Sequence, residues 1–189
     1  MDDTPCTAFD GSTRIAAGPL AEVAVAGRAW MDRHPEARIL IFDDLTARLI
    51  DVDFRGSEAE IRARLQPPAR SPGRPKLGVV AREVTLLPRH WEWLGQQPGG
   101  ASVALRKLVE AASRGGGDRR QQLRQGQEAC YRFMQAMAGD APGFEEATRA
   151  MYRNLRDRFT VLVRKWPSDV AEHTLKLAHA AFPAPDEMQ

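Results

Sequence analysis

Residues 73–112 read GRPKLGVVAREVTLLPRHWEWLGQQPGGASVALRKLVEAA, and the order of parts in this stretch decides how the chain is divided. A basic Gly-Arg-Pro segment comes first. The apolar-rich run Val79–Leu87 predicts a short strand, and Pro88 then stands at the first position of a helix running through Trp91, Trp93 and Leu94 to Gln97, where its missing N–H costs nothing. Pro98-Gly99-Gly100 breaks that helix. A second helix is expected from Ala101 or Ser102 to Ser113, with Val103, Leu105, Leu108, Val109 and Ala112 recurring on one stripe.

N-terminal to this stretch, residues 66–78 (QPPARSPGRPKLG) form a Pro/Gly/Arg linker that marks a boundary. Before it, Asp10-Gly11 is a hairpin turn signal between Ala8-Phe9 and Ile15. Gly18-Pro19 opens a helix that ends near Arg33, ahead of His34-Pro35. Arg38–Phe42 reads as a buried strand, Asp43–Thr46 as a turn, and Arg48–Phe54 as a strand alternating apolar and polar residues. Ser57 and Glu60 have the spacing of a capping box for a short helix to Leu65. Residues 1–65 are thus expected as a ββαββ sheet carrying one helix.

C-terminal to the stretch, residues 119–182 read as helical throughout. One helix spans Arg119–Ala138, a second runs from Phe144 to Val163 after the breaker Gly139–Gly143, and a third follows Trp166-Pro167-Ser168-Asp169 with Val170, Thr174, Leu177 and Ala181 inward. The fold class is α+β, with four parts: an N-terminal α+β domain at 1–65, the linker at 66–78, a strand-helix-helix segment at 79–114, and a C-terminal helical bundle at 119–182.

Composition narrows the function classes. The chain has 189 residues, 43% of them hydrophobic, which supplies a core and excludes a wholly disordered chain. Cys6 and Cys130 are the two cysteines, too few and too far apart for a disulfide framework. The acidic N-terminus MDDTPCTAFDG is unlike a signal peptide, and no run approaches the roughly 20 apolar residues of a membrane span. A cytoplasmic protein is expected. His34, His90, His173 and His179 show no metal-ligand spacing, and no cofactor or small-molecule substrate is suggested. Asp43, Asp44, Asp51 and Asp53 are read as turn and solvated-strand residues rather than cation ligands, and Glu145-Glu146 as carboxylates favouring a helix N-terminus. No catalytic constellation emerges, so a non-enzymatic protein is expected.

The net charge of +2 conceals an asymmetry: residues 1–61 carry −6, residues 62–124 carry +9, and residues 125–189 carry −1. A basic centre between acidic and neutral flanks is the footprint of a polyanion-binding segment.

Gly73-Arg74-Pro75-Lys76 resembles the core of an AT-hook, whose extended Arg lies in the minor groove, although Pro72 stands where the hook has a second Arg. The order strand, Pro, helix, Gly, helix over roughly residues 80–113 resembles the ribbon-helix-helix DNA-binding proteins. That resemblance implies a homodimer whose paired strands enter the major groove, Arg82 on the outward face of the ribbon, and Ser102 with neighbouring backbone N–H groups on phosphate. Neither strand register presents a polar reading face: one exposes Val84 and Leu86, the other Glu83 and Thr85. Over nearly the whole chain, the blocks TAFDG, ILIFDD, GRPKLGVVAREVTLLPRHWEWL, PGGASVALRKLVEAA, YRFMQAMAGDAPGFEEATRAMY and WPSDV resemble an uncharacterised bacterial conserved family, domain of unknown function 2239.

The function expected from these readings is duplex DNA binding, in a regulatory role, by a homodimer. Arg74, Lys76, Arg82, Ser102, Arg106 and Lys107 are the candidate DNA-binding residues. The alternative is a protein-interaction or homodimerisation module without nucleic acid, for which Val84, Leu86, Trp91 and Trp93 would supply the apolar surface.

Overall fold

A computed structural model describes residues 5–65, 82–114 and 119–183. In chain order its elements are β1 (Pro5–Asp10), β2 (Thr13–Pro19), α1 (Leu20–Arg33), β3 (Ile39–Asp43), α2 (Glu58–Leu65), α3 (Pro88–Gly95), α4 (Gly100–Arg114), α5 (Arg119–Ala138), α6 (Phe144–Tyr152), α7 (Arg156–Val163) and α8 (Ser168–Ala178). The fold is mixed α+β. The described residues fall into two compact units, one made of 5–65 together with 120–183 and the other of 82–114.

The first unit is built on an antiparallel sheet of order β2-β1-β3. The central strand explains the layering. Cys6, Thr7, Ala8 and Phe9 are all buried, so β1 is covered on both faces rather than one. Cys6 and Ala8 pack with Ile41 of β3 against Val23 and Ala24 of α1 and Ile61 of α2. Phe9 and Phe42 belong instead to the core of the C-terminal helices, with Phe133, Met134, Met151, Phe159, Val163 and Val170. Successive strand residues point to opposite faces, so this division follows from the period of two. The segments 5–65 and 120–182, which read as separate in the sequence, therefore pack into one compact unit, the sheet of the first joining the core of the C-terminal helices through Phe9 and Phe42.

Close approaches depend on two glycines. A Cβ on Gly27 of α1 would meet the Phe54 ring at 3.1 Å, so the chain after β3 can fold back over α1. At Gly126 the constraint is harder, because a Cβ would stand 2.1 Å from the carbonyl oxygen of Ala180. The N-terminal half of α5 lies against the backbone that follows α8, and only glycine permits that distance.

Local signals explain most of the boundaries. The capping box forms as read: the Ser57 N–H donates to Glu60 Oε2 at 2.7 Å, and the Glu60 N–H donates to Ser57 Oγ at 3.3 Å. Gly11 turns the first hairpin at φ +53°, and Gly99 and Gly100 take φ +87° and +76° between α3 and α4. Pro88 is the first residue of α3, preceded by extended Leu87.

The fold departs from the sequence reading at three places. Arg48–Phe54 is not a strand. It makes one bridge, Phe42 to Leu49, with the Asp43 N–H donating to Arg48 O and the Ile50 N–H to Ile41 O. Beyond Ile50 the chain turns inward, where Val52 and Phe54 pack with α1, and that apolar packing replaces further ladder hydrogen bonds. The sheet thus has three strands among the described residues, not four.

The second departure is Val79–Leu87. Residues 79–81 lie outside the described residues, and 82–87 form no strand. Third, the helix expected over Phe144–Val163 is two helices, because Asn154 adopts φ +57° and turns the chain between α6 and α7. The helical C-terminal part accordingly has four helices, α5–α8.

Gly126→Ala tests the sheet-and-helix packing. The added methyl has no route past a carbonyl oxygen, so α5 must shift, and a loss of about 1–3 kcal/mol is expected in urea or thermal unfolding. Gly95→Ala, where nothing lies within 4 Å of the added carbon, is the neutral control.

Candidate functional site

The candidate residues fall mainly in the second unit, a pair of helices. Among its described residues, Leu94 of α3 and Ala104 of α4 are the buried apolar ones, with Val103 and Leu105 half-buried beside them. Pro98-Gly99-Gly100 lets α4 start directly after α3, and the Gly100 N–H donates to Gln97 O at 3.0 Å. Beyond Leu105, every described side chain of α4 is exposed. Leu108 and Val109 are 49% and 62% exposed, and Trp91 and Trp93 of α3 are 42% and 50%. Two amphipathic helices therefore form a minimal contact and leave the rest of their apolar stripes in water.

Of the six residues expected to contact DNA, Arg74 and Lys76 lie outside the described residues. Arg82 is exposed on the irregular segment before α3. Ser102 is exposed in the first turn of α4. Arg106 is exposed one turn later, its Nε donating to the Ser102 carbonyl at 3.2 Å, and Lys107 beside it is exposed. Ser102, Arg106 and Lys107 share one helix, while Arg82 is held on a different segment. Val84 is exposed and Leu86 half-buried in that same segment.

A second polar constellation, absent from the sequence reading, lies where the sheet of the first unit meets α8. Asp44 follows β3 directly and its side chain is 5% exposed. It accepts from Thr7 Oγ1 of β1 at 2.7 Å and from Lys176 Nζ of α8 at 2.6 Å. His173, one turn before Lys176, brings Nε2 to 3.8 Å from Asp44 Oδ1, too long for a hydrogen bond, and Nε2 has no other partner among the described residues. The imidazole sits among aromatic rings, 4.5 Å from Phe133 and 5.6 Å from Phe9 between centroids.

The same side of α8 meets β2. Asp169 accepts from the Arg14 N–H at 2.8 Å, and Glu172 pairs with the Arg14 guanidinium at 3.2 Å. Residues 169, 172, 173 and 176 recur at the helical period, so α8 presents a polar stripe to the end of the sheet and an apolar one to the core. The sequence held one signal of this: a charged or titratable residue at each helical step beside Val170, Thr174 and Leu177.

Electrostatics make this stripe a fastener. Burial drives the His173 pKa down to about 4, with Lys176 and Arg14 acting in the same direction and Asp44 and Glu172 opposing. The imidazole is neutral at pH 7. The thiols are equally inert: burial, with Asp43 and Asp44 nearby, raises Cys6 to about 11, and burial alone raises Cys130 to about 12. Asp43 is engaged in its own turn, accepting from the N–H groups of Leu45 and Thr46 at 2.9 and 2.7 Å. Asp53 is held below the usual carboxylate range by hydrogen bonds from Arg55.

These features define an α+β protein with a sheet clamped between two helical layers and a separate helix pair that exposes both basic and apolar side chains. The chain belongs to the family described as an uncharacterized protein conserved in bacteria (DUF2239), which it matches over residues 5–178, from β1 to the end of α8. No curated protein and no solved structure matches it. The ribbon-helix-helix resemblance gains no support from these comparisons. Among the described residues, no helix is long and apolar enough to cross a membrane.

Two outcomes test the clamp. Lys176→Met leaves the Asp44 carboxylate buried without its cation and is expected to cost about 2–3 kcal/mol, less than the roughly 3–5 kcal/mol of a fully buried pair because the ammonium is itself half in water. Adding Asp44→Asn recovers part of that loss, since the amide oxygen still accepts from Thr7. The second outcome concerns pH. The His173 pKa is lower folded than unfolded, so its contribution is complete above about pH 6.5 and declines towards about pH 4, at up to about 1.4 kcal/mol per pH unit. Urea unfolding between pH 7 and 5 should show this slope in the parent and a reduced one in His173→Phe.

Proposed function

We propose that the α3–α4 helix pair is a self-association module that joins two copies of the chain through α4. The observation behind this reading is the exposure of Leu108 and Val109 on a helix pair that buries little of its own apolar surface. Two short helices with so small a contact are marginal in water and gain stability from a further apolar partner.

A second copy fits the chemistry of the stripe. Ala101, Leu105, Leu108 and Ala112 are spaced four, three and four residues apart, which is the seam of a two-helix contact. Arg106, Lys107 and Glu110 fall off that seam, so the positive charge of the segment does not oppose itself across the contact. The small side chains of Ala101 and Ala112 on that seam allow close approach of two α4 helices. Trp91 and Trp93 add aromatic surface of the kind enriched at interfaces.

A second reading, duplex DNA binding by the basic segment, is favoured by the charge of +9 on residues 62–124 and by the exposure of Arg82, Arg106 and Lys107. Charge of this kind supports phosphate contacts rather than base reading. The two readings are compatible, since a dimer doubles the number of basic groups presented to one duplex.

Sedimentation velocity of the full chain across a concentration series is expected to show a dimer, converted to monomer by Leu108→Asp with Val109→Asp. A parent chain that stays monomeric at roughly 100 μM, a weak affinity of order −5 kcal/mol, would overturn the self-association reading. Anisotropy with a labelled duplex at several salt concentrations tests the second reading. Replacing Arg74, Lys76, Arg82, Arg106 and Lys107 by Ala should weaken binding and flatten its salt dependence, whereas no binding by the parent at low salt removes DNA as a partner.

A further inference from the structure

The corner between α6 and α7 concentrates arginines around a concave surface. Its backbone explains how. Asn154, in the left-handed conformation, donates its N–H to Met151 O at 3.0 Å, and the Leu155 N–H reaches back to Ala150 O at 2.9 Å. This pair of bonds is a Schellman closure of α6, with an apolar residue following the Asn. α7 starts at the next residue, Arg156, so the last turn of one helix and the first turn of the next are held within a few residues of each other.

The result is a depression of about 220 Å³ lined by Glu146, Arg149, Ala150, Arg153, Leu155 and Arg158. Arg149 pairs with Glu146 at 3.5 Å. The guanidinium groups of Arg153 and Arg158 make no hydrogen bond or ion pair with the described residues. Arg156, the fourth arginine of the corner, is committed elsewhere: its guanidinium lies 5.1 Å from the centre of the Phe182 ring and donates to Pro183 O at 3.3 Å. Three guanidinium groups and one carboxylate therefore face the depression, a local charge of +2. The capping position of α7, Leu155, offers no side-chain acceptor to the first N–H groups of that helix.

We propose that this depression binds the phosphate group of a small phosphorylated molecule. A phosphate dianion matches the local charge of +2, and its tetrahedral oxygens can accept from three guanidinium forks, those of Arg149 and Arg153 at the end of α6 and of Arg158 in α7, where a planar carboxylate presents only two. Gathering three cations at one corner is unfavourable without a counter-charge, and Glu146 supplies only one. Ala150 and Leu155 form an apolar wall beside the arginines, suited to the carbon skeleton of an ester. The site belongs to the first unit and does not depend on how α3 and α4 associate.

The test is calorimetric titration of the full chain with inorganic pyrophosphate, in chloride buffer of constant ionic strength, beside Arg153→Ala/Arg158→Ala and Glu146→Gln variants. Both variants carry exposed substitutions and are checked by far-UV circular dichroism. Saturable binding to the parent, weakened at least tenfold in the double arginine variant and tightened by Glu146→Gln, is the expected result. Heats that do not saturate, or equal affinity in parent and double variant, overturn the proposal. A short duplex serves as a separate arm, since its phosphates share this chemistry. Duplex binding that is lost in the double variant while pyrophosphate fails to bind the parent also overturns it, because the phosphate would then come from nucleic acid.

Discussion

Asp44 has to be paired because its carboxylate is almost entirely removed from water, and its partners come from opposite ends of the chain. Thr7 lies on the first strand and Lys176 on the last helix. Leaving the carboxylate alone at that depth would cost several kcal/mol, so the sheet and α8 must meet in one register for the charge to be satisfied. Arg14 with Asp169 and Glu172 repeats the connection one strand away. Polar bonds thereby set the register, while apolar burial supplies the driving force. Phe9, Phe42 and Phe133 form that apolar counterpart, with ring centroids 5.0–6.2 Å apart beneath the polar stripe.

This arrangement solves the main difficulty of a three-stranded sheet. Such a sheet with α1 and α2 on one face leaves the other face bare, and Phe9 and Phe42 would stand in water. The C-terminal helices cover that face, and Gly126 allows α5 to come within contact of the backbone after α8 while they do so. The helix pair of the second unit has no comparable core. Among its described residues Leu94 and Ala104 are buried while Leu108, Val109, Trp91 and Trp93 are exposed, which is the physical ground for proposing self-association there.

Much of the fold was legible in the chain because its signals are local. Asp10-Gly11, Ser57 with Glu60, Pro88 and Pro98-Gly99-Gly100 each act through backbone conformation or a nearby hydrogen bond, and each falls where the element boundary does. Two errors have physical causes of their own. Arg48–Phe54 carries an alternating pattern, but burial of Val52 and Phe54 against α1 prevailed over continued strand pairing. Phe144–Val163 carries a helical period through Leu155, and Asn154 stops the helix by taking the left-handed conformation that its side chain tolerates. For the candidate site, exposed Ser102, Arg106 and Lys107 were legible as a helix start and a charged face. Asp44 with His173 was not, since nothing local relates two residues 129 positions apart.

The sequence by itself determined the α+β class, the helix starts and stops governed by caps, prolines and glycines, and the concentration of positive charge in the centre. Those properties depend on residues within a few positions of one another. Only the tertiary structure decided that residues 5–65 and the C-terminal helices pack into one compact unit, that the charged residues of α8 fasten those helices to the sheet, and that arginines at the α6–α7 corner converge on one depression. Each of these rests on which faces are buried together, and a face acquires its partner only when distant elements compete for the same apolar surface.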